Sequence, residues 1–209
     1  MALPARELCA LGSRVLLLPL LATQRLVADA DRCRQPGRPA GGWSAGHPSL
    51  VCLDSQSVRL APRIFEHRGL DGGKHVNGRK RRILPDVQGR ILACRVHAAN
   101  GHDGGEALQL LPARPAWGAR LVTVVTDKGY RRRFARHVAK LGLTHQLGNR
   151  PPSTRGFVPV AKRWVVERTF AWFTGFRRLA IDYEFTPRSH ETWLLIANLT
   201  MCLNRLGPV

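Results

Sequence analysis

The sequence predicts a mixed α/β domain, a sheet with helices on its faces. Three observations carry that prediction. "ARLVTVVTD" at 119–127 is a continuous, β-branched apolar run of the kind buried on both faces in a parallel sheet. "GGKHVNGRKRRILPDVQGRILACRVHAANG" at 72–101 reads as two antiparallel strands, near 79–84 and 90–97, joined by a turn at "DVQG". In the second half, strand patterns alternate with helical ones, which places helices over the sheet.

The elements follow in order. Residues 1–49, rich in Ala, Arg, Leu, Pro and Gly, read as a basic, low-order arm ahead of a domain over 50–209. "SLVCLDSQSVRL" is a short strand whose far end carries Asp54. Asp103 caps a helix over "GGEALQLL", stopped by Pro112. The buried strand 119–127 ends at Asp127, followed by Gly129. "RRRFARHVAKLG" at 131–142 is an amphipathic helix closed by Gly142, and "LTHQLG" is one more strand. After the loop "NRPPSTRGFVPV", a helix over about 160–180 lines up Trp164, Val166, Phe170 and Phe173 near one stripe. Pro187 opens a last helix, closed by Gly207-Pro208, that packs Trp193, Leu194, Ile196, Ala197, Thr200, Met201 and Leu203 on the sheet.

Charge points to the partner. The chain has 209 residues, 33 Lys+Arg against 14 Asp+Glu and a formal charge of +19. Such an excess repels itself unless a polyanion neutralises it, so double-stranded DNA is the expected partner, bound with salt dependence. The five cysteines at 9, 33, 52, 94 and 202 form no C-x-x-C motif and fit free thiols in a reducing cytoplasm. No apolar run is long enough for a membrane span, and "RVLLLPLLA" at 14–22, broken by Pro19, argues against a secretory signal. A cytoplasmic, nucleoid-associated protein is expected. The absence of G-x-x-x-x-G-K-S/T leaves nucleotide hydrolysis without support.

Three acids carry the candidate chemistry. Asp54 and Asp127 end strands, and in open α/β sheets ligands bind beyond strand ends. Glu167 is the next acid after Asp127, set in the basic, aromatic stretch "KRWVVERTFAWF". Carboxylates brought together stay ionised when cations sit between them, and hard oxygen ligands suit Mg²⁺ or Mn²⁺. Two such ions clamp the attacking and leaving oxygens of a phosphoryl displacement. The bland reading of the same residues is a pair of turn or cap aspartates and an ordinary i,i+4 ion pair between Arg163 and Glu167.

"DSQSV" at 54–58, "GRKRRILPD" at 78–86, "HAANGHD" at 97–103, "TDKGY" at 126–130 and "RWVVERTFAWF…FRRLAIDYE" at 163–184 occur in this order. Together they resemble the catalytic domain of bacterial insertion-sequence DDE transposases, over about 50–206. The resemblance implies a ribonuclease-H-like fold, divalent-metal cleavage and strand transfer at transposon ends, and homo-oligomers on paired ends. It carries the family's acids onto Asp54, Asp127 and Glu167, and the arginine of its Y-x-x-R-x-x-x-E-x-x-x-x-x-x-K signature onto Arg163. Val160 and Thr174 replace the tyrosine and lysine of that signature, and Arg177 and Arg178, three helical turns past Glu167, are expected to supply the missing cation. Only 53 residues precede Asp54, without a helix-turn-helix pattern, which suggests a truncated or frame-shifted front end. A DNA-binding remnant without catalysis, or a ribonuclease-H-like nuclease, are the competing readings.

The remaining basic residues divide into clusters. Lys74, Arg79, Lys80, Arg81 and Arg82 on the hairpin are expected to contact phosphates, the competing reading being a solvated strand edge. Lys128, Arg131, Arg132 and Arg133, just past Asp127, read similarly, as does Arg168 beside Glu167. His97, His102 and Asp103 read as a hydrogen-bonded structural turn rather than metal ligands.

Overall fold

A computed structural model describes residues 48–111, 120–148 and 163–206. The arm up to residue 47, the loop 149–160 and the helix stops at Pro112 and Gly207-Pro208 lie outside the described residues.

The strands are β1 (Leu50–Cys52), β2 (Asp54–Arg59), β3 (Gly69–Asp71), β4 (Val76–Pro85), β5 (Ile91–Ala98), β6 (Thr123–Thr126) and β7 (Thr144–Leu147). The helices are α1 (Asp103–Glu106), continued by a 3₁₀ turn over Ala107–Leu110, then α2 (Arg133–Lys140), α3 (Trp164–Phe173), α4 (Arg177–Ala180) and α5 (Pro187–Leu206). β2 and β5 flank β4, both antiparallel to it. β6 runs parallel to β1, and β7 parallel to β6. Since β1 and β2 are separated only by Leu53, the order across the sheet is β5, β4, β2 with β1, β6, β7. Three antiparallel strands followed by two parallel ones make the ribonuclease-H-like mixed sheet that the resemblance implies.

Strand alternation builds two cores. Leu50, Cys52, Ile83 and Val125 face one side and pack with Val166, Phe170, Phe173, Leu179 and Leu194 of α3, α4 and α5. Val51, Leu53, Leu84 and Val124 face the other and pack with Leu110, Leu111, Tyr130, Phe134 and Val138. Helices therefore cover both faces, as expected. The hairpin turn is held by Asp86, which accepts the Gln88 and Arg90 N–H groups at 2.9 Å each and the Arg90 Nε at 2.6 Å, while Gly89 takes φ +88°. Among the described residues Cys52, Cys94 and Cys202 form no disulfide. Among the described residues no helix is long and apolar enough to cross a membrane.

Several expectations need correction. β3, a three-residue strand along β4, has no distinct period in the sequence. His102 rather than Asp103 caps α1, its Nδ1 accepting the Gly104 N–H at 3.2 Å. The helix expected over 160–180 stops at Phe173. Thr174 turns its hydroxyl back to the Ala171 carbonyl at 2.6 Å, and Phe176 is extended before α4 begins. Arg177 and Arg178 thus do not follow Glu167 at helical spacing.

The largest correction concerns Arg79, Lys80, Arg81 and Arg82. β4 is an interior strand, and all four side chains are buried. Odd positions point to the α3–α5 face and even positions to the α1 face, as Ile83 and Leu84 do. Arg79, fully buried, meets Asp182 at 3.0 Å and the carbonyls of Glu66, Glu184 and Phe185. Arg81 lies over the Phe173 ring at 5.2 Å and donates to the Leu179 carbonyl and to Gln56. Lys80 reaches Asp71 at 3.5 Å and Asp103 at 3.4 Å. Groups enclosed this way neither edge the sheet nor reach a phosphate, so the hairpin contact reading is withdrawn for all four.

Candidate active site

The parallel register builds the site. Leu50, Val51 and Cys52 pair with Thr123, Val124 and Val125. Continuing that offset two residues sets Asp54 opposite Asp127, just past the ends of β1 and β6. Asp54 lies where the strand breaks away from β6 to join β4, so it belongs to a split between two partners and not to a strand's far end. Its Oδ1 accepts the Ser55 N–H at 2.7 Å. Asp127 Oδ1 accepts the Gly129 N–H at 2.8 Å in the turn that leads to Tyr130. These turn bonds are what the bland reading expects of such aspartates, and they also fix where the carboxylates point.

The two carboxylates sense one another. Burial pushes the Asp54 carboxyl above its ordinary range; the Ser55 N–H and Arg163 pull it back, and the charge of Asp127 adds to the rise.

α3 brings the third acid. Val166 and Phe170 anchor it in the core beside Cys52 and Val125, which leaves Glu167 on the outer side, exposed. Arg163 links it to Asp54. Its Nη2 lies 3.3 Å from Asp54 Oδ2 and 3.8 Å from Glu167 Oε1. The i,i+4 pair of the bland reading therefore exists, and the same nitrogen also holds Asp54. Gly148, at the end of β7, makes room for it: a Cβ there would sit 2.9 Å from Arg163 Cδ.

The structure thus brings all three acids to one end of the sheet, with a guanidinium between two of them. Among the described residues, no three His, Cys, Asp or Glu side chains stand close enough together to hold a metal ion. The donor chemistry of Asp54 and Asp127, two coupled carboxylate oxygens sets with one raised pKa, fits a hard divalent cation. Glu167 is held by Arg163 instead.

The other expected contacts scatter. Lys74, Lys128, Arg131, Arg132 and Arg133 are exposed, the last four beside Asp127, and Arg132 has φ +53° at the start of α2. Arg168 is sandwiched between Trp164 at 4.3 Å and Trp172 at 4.6 Å and donates to the Gln88 carbonyl at 3.2 Å. Arg178 pairs with Glu184 at 2.9 Å and stacks on Trp193, whereas Arg177 is exposed nearby. Ser55, Tyr130 and Gly148 escaped the sequence reading. Their signal was adjacency: Ser55 follows the first acid, and Tyr130 closes the turn after the second.

These features define a carboxylate site at the split end of a ribonuclease-H-like sheet. The family model of the transposase DDE domain matches residues 45–204, and the chain belongs to that family. A relative from Burkholderia cepacia, "Putative transposase for insertion sequence element IS402", is 32% identical over 137 residues, which is 62% of this chain and 64% of that protein. The chain thus spans just under two thirds of the length of that relative. Among solved structures, the catalytic core domain of BIV integrase aligns with 77% of this chain and 87% of its own, at 13% identity and a TM-score of 0.42.

Proposed function

We propose that this chain is the catalytic domain of an insertion-sequence transposase that cleaves DNA at transposon ends and transfers the freed strand to target DNA. The observation that carries the reading is the register that sets Asp54 opposite Asp127, with Arg163 joining Asp54 to Glu167. Family membership supports the same chemistry.

Asp54 and Asp127 would hold divalent metal, Mg²⁺ or Mn²⁺, with Glu167 completing the set. Such an ion supplies Lewis acidity and an activated water for attack on a phosphodiester. Asp54 contributes a carboxyl whose raised pKa a cation would reverse. Arg163 contributes the exchange. Its Nε is buried without a hydrogen-bond partner among the described residues. A backbone phosphate would satisfy it and draw the guanidinium from its carboxylates, releasing Asp54 and Glu167. The exposed Lys74, Lys128, Arg131, Arg132, Arg133 and Arg177 supply non-specific DNA attraction. Two copies of the chain acting on paired ends is part of this reading.

The test is a nicking assay on DNA carrying the flanking inverted repeats. The chain is expected to nick in Mn²⁺ or Mg²⁺, and Asp127→Asn to bind DNA but not nick. Nicking by Asp127→Asn at the wild-type rate refutes the acid trio. Salt-dependent DNA binding by the wild type, with no nicking under any divalent metal, favours a binding-only protein.

A further inference from the structure

Behind the two aspartates lies a buried polar network that the proposed chemistry does not use. Its centre is Arg82, fully buried on β4. Its guanidinium donates in three directions: Nε to His97 Nε2 at 2.7 Å, Nη1 to Tyr130 Oη at 2.8 Å, and Nη2 to Asp103 Oδ1 at 2.7 Å. Each of the last two bonds leads to one candidate acid. Tyr130 closes the turn of Asp127, its N–H donating to the Asp127 carbonyl at 3.4 Å. Asp103 Oδ1 accepts the Ser55 hydroxyl at 3.2 Å, and Ser55 in turn donates its N–H to Asp54. Asp103 also packs against the Asp127 turn: a Cβ on Gly129 would lie 3.1 Å from Asp127 Oδ1 and 3.7 Å from Asp103 Oδ2.

A buried Arg–Asp pair is weak evidence for stability as such, because desolvating both charges offsets most of their attraction. A bifurcated tie has another use. Among the described residues, the loops after β1 and β6 are joined by no ladder beyond Leu53 N–H to the Val125 carbonyl. Two connections span the gap beyond that point: the chain Ser55–Asp103–Arg82–Tyr130, and a direct side-chain contact between Ser55 and Tyr130. We propose that Arg82 and Asp103 are positioning residues that set the separation of Asp54 and Asp127 for a divalent cation. The proposal rests on the reading of those two aspartates as a metal-holding pair. Arg82 and Asp103 touch neither cation nor substrate; they act through Ser55 and Tyr130. Outer partners of metal ligands alter metal affinity by about 10–100-fold, and this network has that place.

The experiment is Mn²⁺ titration of the full chain, followed by calorimetry and by the Mn²⁺ electron paramagnetic signal, with thermal melts in parallel. Four variants are compared with wild type: Asp54→Asn, Asp103→Asn, Tyr130→Phe and Ser55→Ala. Asp54→Asn is expected to lose binding. Asp103→Asn is expected to weaken it by about 10–100-fold. Ser55→Ala and Tyr130→Phe each remove one end of the chain together with the direct Ser55–Tyr130 contact, and leave the Arg82–Asp103 pair intact; each is expected to weaken Mn²⁺ binding by about tenfold. They decide the question if Asp103→Asn fails to fold. A purely structural role would lower melting temperature and leave Mn²⁺ affinity of the folded protein unchanged. Folded Ser55→Ala and Tyr130→Phe binding Mn²⁺ within twofold of wild type would overturn the positioning role alone. A wild-type chain that binds no Mn²⁺ would overturn the metal-holding reading, and the positioning role with it.

Discussion

Arg79 separates the two uses of a basic residue in this protein. In the sequence it belongs to a DNA-contact cluster; in the structure it is sealed inside. Consider Arg79→Met. The guanidinium supplies hydrogen bonds to Asp182 Oδ2 and to the carbonyls of Glu66, Glu184 and Phe185. Methionine fills much of the same space but donates nothing. Asp182, whose side chain is also fully buried, then keeps, among the described residues, the hydrogen-bonding Glu184 N–H at 2.9 Å and His190 Nδ1 at 2.9 Å. Breaking one side of a buried ion pair costs about 3–5 kcal/mol. Against a domain stability of about 5–15 kcal/mol, that is a large share, and it lowers the melting temperature by roughly 6–20 °C for a chain of this size. Arg79→Met/Asp182→Leu removes the stranded charge and should recover part of the loss, the three carbonyls remaining without their donor. The assays are urea and thermal unfolding by circular dichroism, with DNA binding measured against salt. A phosphate contact behaves oppositely: its loss leaves stability unchanged and reduces the salt slope by about one. Arg79→Met with a melting temperature within about 2 °C of wild type and a shallower salt slope would refute the burial argument.

Other outcomes follow from the same geometry. The Ser57 hydroxyl, which hydrogen-bonds to Asp71, is the main cause holding that carboxyl at about 2, below its ordinary 3.8, with the Lys74 N–H and Lys80 adding to it. A depressed acid stabilises the fold above its unfolded pKa, and that contribution fades as pH falls from about 4 towards about 2; Ser57→Ala should raise the Asp71 pKa in an NMR titration and move acid unfolding to higher pH. Gly78→Ala would drive a Cβ to 2.1 Å from the Val58 carbonyl oxygen, backbone that cannot yield, and should cost about 3 kcal/mol or more in urea unfolding. Phe173→Ala, in the core under α3, should cost about 3–5 kcal/mol by the same assay. Gly148→Ala should displace Arg163 and lower nicking while barely moving the melting temperature, since the crowded atoms belong to one side chain.

The fold was legible wherever a period was clean. The β-branched run before Asp127, the hairpin around Asp86 and the last helix behind Pro187 all lie where local pattern puts them, because each buries one face or both and its residues say so. The break in α3 was not legible. Thr174 is an acceptable helix residue by composition, and only its back-bonding hydroxyl and the following Gly175 end the helix. β3 is three residues long and owes its strand character to pairing with β4. The three acids were chosen through the resemblance and the positions of strand ends, and the register bears on two of them by setting Asp54 opposite Asp127.

What misled the sequence reading is the assumption that charge runs face water. Four consecutive cations on an interior strand are stable here because each meets a partner contributed from far along the chain: Asp182 for Arg79, Asp71 and Asp103 for Lys80, Gln56 and an aromatic bed for Arg81, Asp103 for Arg82. No local pattern reveals such pairing, since the partners lie across the sheet or beyond it. Alternation offered one clue. A strand flanked on both sides must send its side chains to the two helical layers, so successive cations had to divide between them. That division has a functional consequence. The pair directed to the α1 face, Lys80 and Arg82, lies behind the two aspartates and shares Asp103 between its members. The formal charge of +19 therefore overstates the surface offered to DNA, since the four cations of β4 are enclosed.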